Sequence, residues 1–178
     1  DVAETLEEIL REDGIRILNE TGMTAVEQAA DGTITAHLDG DDAPGQLDAS
    51  HLLVAVGRRP NTDDLNPEAA GVETSDRGFV PVNECLETGV DGVYAIGDVT
   101  GGPAFTHVSY DDYRVVRDNL LNGTSKTTKD RILSYTLFTD PQLGRVGLSE
   151  EQAREQGVDV EVATMPMSHV ARALEVDE

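Results

Sequence analysis

Apolar residues recur along this chain with two different periods, and the changes between them lay out its elements. In residues 1–11 they fall at Val2, Leu6, Ile9 and Leu10, one side of a helix, while Glu4, Glu7, Glu8 and Arg11 fall largely on the other. Gly14 supplies the expected stop. The pattern then shortens: residues 15–19, 23–29 and 33–38 read as short strands, and 52–56 as a continuous apolar one. Asp31-Gly32 signals a hairpin between two of them, and the polar cluster at 39–45 signals the next reversal. Farther on, a short buried strand at 93–96 runs into Gly97-Asp98, then a glycine-rich loop at 100–103. Residues 105–121 return to a helical pattern. Ser149 and Gln152 stand at the spacing of a capping box, which predicts a helix over 150–156 ended by Gly157. Residues 158–165 read as a final strand.

The junction at 93–105 carries the most chemistry. An open α/β sheet binds ligands at the carboxyl ends of its strands, which is where Asp98 falls. Gly97 lets a ligand approach the backbone, and Asp98 accepts hydrogen bonds from hydroxyls such as those of a sugar or ribityl chain. On the Gly-Asp pair alone, a strand-end aspartate capping a turn is the better reading. A helix beginning near Thr106 would aim its free amides and positive dipole end back at the strand terminus. Thr106 also reads as an ordinary N-cap, and the two roles are compatible.

The surroundings change those odds. The run TGVDGVYAIGD at 88–98 resembles the second flavin-binding motif of the FAD-dependent pyridine nucleotide–disulfide oxidoreductases. That family includes glutathione reductase, dihydrolipoamide dehydrogenase and mercuric reductase. HLLVAVGRRPN at 51–61 is similar to the strand-plus-glycine motif ending the family's nucleotide domain, and YTLFTDPQLGRVG at 135–147 to the opening of its dimerisation domain. The order and spacing of the three blocks agree with the family, and the likeness runs from end to end. Val56 departs from the pattern, which usually has threonine before the glycine.

The resemblance implies an α/β fold in three parts. Residues 1–60 would close a Rossmann-like NAD(P)-binding domain, 61–132 would form the second part of the FAD domain, and 133–178 would begin an α+β dimerisation domain. It implies FAD contacts at Gly97, Asp98, Thr106, His107 and Val108, with the amides of the last three facing the flavin edge that gains negative charge on reduction. It implies NAD(P)H contacts near Gly57 and Met23. His107 would position backbone or pack on the flavin, since the family's proton-handling histidine belongs to a carboxy-terminal segment not present here. Electrons would pass from NAD(P)H through FAD and a cysteine pair to a metal ion or a disulfide, in a homodimer.

Within the family, FTHVSYDDYRVV at 105–116 looks most like the mercuric reductase branch, with dihydrolipoamide dehydrogenase the alternative. TMPM at 164–167 and Arg172-Ala173 lean the same way. The first glycine loop and the redox cysteine pair of the family are absent, no GxGxxG occurs, and both ends fall inside expected elements. The chain therefore reads as a piece of a longer enzyme that carries no catalytic residue and no reductase activity of its own. A reading of another class, a non-catalytic binding or interaction module, draws on the same missing cysteines. An adjoining glycine loop and cysteine pair upstream would decide for the enzyme.

Composition narrows the partners. With 35 acidic and 13 basic residues the formal charge is −22, which disfavours nucleic acid and anionic membrane. The acids are spread among apolar segments rather than gathered in a tail, which suits a salt-rich cytoplasm. Arg58 and Arg59 would attract phosphates or pair with Asp63 and Asp64. Cys85 is the only cysteine, read here as a small strand residue and not a redox centre. His37, His51 and His169 show no metal-ligand spacing with one another or with it. No apolar run is long enough to span a bilayer and no signal-like start is present, so the expected location is cytoplasmic.

Overall fold

Helix α1 (Val2–Glu12) forms on the first apolar stripe, and Arg11 closes an i,i+4 pair with Glu7 on its outer side at 2.6 Å. The computed structural model describes residues 2–41, 43–171 and 175. Asp1, Asp42 in the polar cluster at 39–45, and Arg172-Ala173 lie outside the described residues. The chain divides after Gly57 into two units.

In the first unit, β1 (Gly22–Gln28), β2 (Ile34–Asp39) and β3 (Gln46–Ala49) make an antiparallel sheet in chain order. The hairpin expected at Asp31-Gly32 is present. Ala29 N–H donates to Thr33 C=O at 2.9 Å, and Gly32 takes φ +90°. Thr33 N–H donates to Asp31, which holds that carboxyl below its usual range. Strand β3 was not expected, because Gln-Leu-Asp-Ala carries little strand signal; it pairs from Ile34↔Ala49 to His37↔Gln46.

Two expected strands of this unit do not form. Residues 15–19 are tied to the end of α1 instead: Ile15 N–H donates to Leu10 C=O at 2.9 Å, and Arg11 donates to Ile17 C=O at 3.1 Å. Residues 52–56 have no strand neighbour among the described residues, and Leu53 and Val56 are 89% and 91% exposed. A strand needs a ladder as well as an apolar pattern.

The second unit packs around Val72, Val80, Leu86, Val108 and Val115, all buried. Its main element is α2 (Thr106–Asn122), whose inward positions are Val108, Asp112, Val115 and Asp118. This is a helical stripe on which two aspartates alternate with two valines. The strand expected at 93–96 is reduced to a single bridge, Glu87↔Tyr94, and its end is exposed rather than buried, with Ile96 41% exposed. Cys85 is not in a strand: it sits in a turn, and its N–H donates to Asn83 Oδ1 at 2.9 Å.

Strands β4 (Ser134–Leu137) and β5 (Leu143–Val146) form an antiparallel pair, followed by α3 (Glu150–Glu155). The capping box at its start is complete, with Gln152 N–H to Ser149 Oγ at 3.1 Å and Ser149 N–H to Gln152 Oε1 at 3.0 Å. Arg145 Nη2 donates to the same Gln152 oxygen at 3.1 Å and joins β5 to this cap. Residues 158–165 form no strand among the described residues, and Val162 and Met165 are exposed.

Candidate functional site

The turn after Ile96 is built from both sides. Gly97 takes φ +72°, and a Cβ placed on it would lie 2.9 Å from Ser109 Oγ. Glycine here is therefore required by the close approach of α2 as well as by the backbone. Gly97 N–H donates to Asp112 Oδ2 at 2.8 Å, and Thr100 Oγ1–H donates to the Gly97 carbonyl at 2.9 Å. Residues Gly97–Thr100 close into a 3₁₀ turn, and Val80 N–H to Val99 C=O at 2.9 Å fastens it to the packed segment before it. Gly101 then takes φ +79°, and a Cβ placed on it would lie 3.1 Å from Phe79 Cγ.

Asp98 lies within this turn, its carboxylate 46% exposed. Arg58 Nη1 donates to Asp98 Oδ2 at 2.5 Å. Arg59 meets Asp63 at 2.5 Å, so of the two arginines one takes a local acid and the other takes Asp98. The pairing of Arg58 with Asp98 was not foreseen. The two residues are 40 positions apart, beyond the reach of local charge patterning.

Helix α2 starts one residue later than its apolar pattern suggested. Phe105, with φ −125°, is the residue before the helix, and it makes no side-chain cap; Thr106 is the first helical residue and so is not the N-cap. The first intrahelical bond runs from Ser109 N–H to Phe105 C=O at 3.1 Å. The amides of Thr106, His107 and Val108 thus have no acceptor within the helix, and the positive end of a 17-residue helix stands beside the glycine turn. The His107 ring stacks on Phe105 at 5.4 Å, and Phe105 stacks on Tyr135 of β4 at 5.8 Å.

Open cavities flank the helix start, and two of them border its first turn and the segments packed on it. One of about 480 Å³ is lined by Gly97, Thr100, Val108, Asp112 and Arg131 among others. The other, about 390 Å³, is lined by Thr106, His107, Tyr135, Phe138 and Arg145 among others. Gly97 and Val108 line the first of these and Thr106 and His107 the second, while Asp98 lines neither and sits in the turn packed against α2. Met23 on β1 and Gly57, with φ +113°, both belong to the first unit.

Two ion clusters lock the inner face of α2. Arg131 donates to Asp111 at 2.9 Å and to Asp112 at 2.5 Å. Asp118 receives Lys126 and Arg117, the latter at 2.6 Å. The Lys126 ammonium first and the Arg117 guanidinium second lower the Asp118 carboxyl to about 2. Sequence reading passed over Asp112 because acids in so acidic a chain read as solvated. The signal was its place four residues after Val108 and three before Val115. No group of three or more metal-ligating side chains is present among the described residues, and no described helix is long and apolar enough to cross a membrane.

Residues 1–112 match the pyridine nucleotide-disulphide oxidoreductase family, and residues 133–178 match that family's dimerisation domain. The chain belongs to this family and has its α/β fold. A probable pyridine nucleotide-disulfide oxidoreductase, RclA of Escherichia coli, is 40% identical over 97% of the chain, which spans 38% of that protein. A mercuric reductase of Streptomyces lividans is 39% identical over 98%, and a dihydrolipoyl dehydrogenase of Geobacillus stearothermophilus 32% over 99%. The chain covers 36% and 37% of their respective lengths. The solved structure of the E. coli HOCl-induced flavoprotein disulfide reductase RclA superposes on 100% of the chain and 40% of its own, with a TM-score of 0.87.

Proposed function

We propose that this chain is part of an NAD(P)H-driven flavoprotein oxidoreductase and carries one side of its flavin site. The observation that bears most weight is the junction itself: a half-exposed carboxylate on a pinned glycine turn, set beside the free amide end of α2. This donor set fits FAD. Arg58 occupies Asp98 Oδ2, and the other carboxylate oxygen retains acceptor capacity for ribityl hydroxyls. The amides of Thr106, His107 and Val108 present N–H donors and a positive dipole end to the edge of a flavin where negative charge develops. His107, held on Phe105, packs rather than exchanges protons. When bound, the flavin supplies hydride acceptance and onward electron transfer.

On the same reading, residues 1–60, with Gly57 and Met23, contribute to the nicotinamide dinucleotide site. Residues 61–132 complete the flavin domain, and residues 133–178 begin a homodimer interface. The electron acceptor is a metal ion or a disulfide reached through a cysteine pair outside this sequence. The segment at 105–116 favours a mercuric reductase-like acceptor. The dihydrolipoyl dehydrogenase relative, 32% identical over 99% of the chain, keeps the disulfide reading in play. Oxidation of NADH and NADPH by the full-length protein, with mercuric ion or lipoamide as acceptor, separates the two.

The flavin assignment is tested by Asp98→Ala in the full-length protein. Loss of a hydrogen bond to a charged group costs about 1.5–3 kcal/mol, so FAD affinity should fall roughly tenfold or more. Titration of the apoprotein with FAD, followed by flavin fluorescence, reads this directly. Wild-type affinity in the variant would overturn the assignment.

A further inference from the structure

Asp112 is a carboxylate 2% exposed on the inner face of α2. A charge buried this deeply must have its acceptor sites filled. One oxygen takes the Gly97 amide at 2.8 Å, the other Arg131 Nη2 at 2.5 Å. Arg131, its side chain 18% exposed, also reaches Asp111 at 2.9 Å and so is itself held in place. The Gly97 carbonyl is taken by Thr100 Oγ1–H at 2.9 Å, so both polar groups of this glycine are fixed. Ser109, one turn before Asp112, fills the space a Cβ would need. Gly97 therefore has one available pose, and the next residue in the chain is Asp98.

We propose that Asp112 is a positioning residue of the cofactor site. Its buried carboxylate grips the Gly97 amide and thereby aims the Asp98 carboxylate, and through Arg131 it ties that turn to the segment leading into residues 133–178. This rests on the reading of Asp98 as the acceptor for the ribityl chain. Asp112 touches no cofactor itself; it acts through the backbone of Gly97. Only an oxygen acceptor at position 112 is needed for that grip, and the charge serves the link to Arg131. The two functions separate by substitution. Asp112→Asn keeps an acceptor for Gly97 and gives up the ion pair, whereas Asp112→Ala gives up both.

The test measures FAD affinity of the full-length apoprotein by flavin fluorescence, with thermal melting of the same samples. Asp112→Ala should weaken FAD binding by about tenfold or more, and Asp112→Asn should stay within about threefold of wild type. Should the alanine variant not fold, Asp112→Leu fills the same space without an acceptor, and the same tenfold loss is expected of it. Asp118→Ala, which breaks the other buried cluster of α2 without touching the Gly97 turn, should lower the melting temperature and leave FAD affinity unchanged. The proposal is overturned by wild-type affinity in a folded Asp112→Ala or Asp112→Leu protein, or by an Asp112→Asn loss as large as theirs. Equal FAD loss in Asp118→Ala would overturn it too, since general weakening of the helix would then suffice. Asp98→Ala keeps the levels apart. Wild-type affinity there removes the site reading itself, while a loss there with none in Asp112→Ala removes only the positioning role.

Discussion

Replacing Gly97 with alanine puts a number on how tightly the glycine turn is built against α2. Two costs are visible. The backbone at φ +72° is left-handed, which costs an L-residue about 1–2 kcal/mol. The added Cβ would lie 2.9 Å from Ser109 Oγ and 3.3 Å from Ser109 Cβ, an overpacking that costs about 1–3 kcal/mol. Ser109→Ala removes the nearer of the two atoms and relieves most of the second cost while leaving the first. Gly97→Ala should therefore destabilise the protein by about 2–5 kcal/mol in the wild-type background. In a Ser109→Ala background it should cost only about 1–2 kcal/mol. Urea unfolding of the four full-length proteins of this cycle, followed by circular dichroism, gives both values and their coupling. A Gly97→Ala loss below about 0.5 kcal/mol would refute the conformational argument. Equal losses in the two backgrounds would refute the steric one.

Salt should stabilise the protein strongly: with 35 acids against 13 bases, molar salt shortens the screening length to about 3 Å and suppresses repulsion among surface acids. A melting temperature that stays flat across a salt series would remove that explanation of the charge. The Asp118 cluster gives a pH signature as well. Its folded carboxyl lies at about 2 against an ordinary 3.8, so its contribution is complete above the ordinary value and is lost as pH falls toward the folded one. The melting-temperature gap between wild type and Asp118→Asn should be constant near neutrality and close between about pH 4 and pH 2. A gap unchanged across that window would refute the assignment.

Much of the junction was legible in the sequence because it is local. A 3.6-residue period marks α2, and a Gly-Asp pair after a short apolar run marks the turn. The Ser149 box is readable for the same reason, since its four residues contain both partners of both hydrogen bonds. What escaped is non-local. Arg58 reaches Asp98 across 40 positions, and Arg131 reaches Asp112 across 19. The pattern at 52–56 was over-read in the opposite direction, because apolar residues announce a strand whether or not a neighbour is there to pair with it. β3 was under-read because backbone pairing with β2 carries it despite a polar composition.

The buried acids of α2 leave an uneven record of which changes this chain can accept over generations. Removing one of its many surface acids lessens self-repulsion, and nothing inside the protein loses a partner. Removing Arg131, Lys126 or Arg117 strips a countercharge from a carboxylate that has almost no access to water. Drift should accordingly run freely through the acidic exterior and halt at these cations. A lineage under selection for lower charge would shed aspartates and glutamates from its surface while Arg131, Lys126 and the two carboxylates they face passed unchanged from ancestor to descendant.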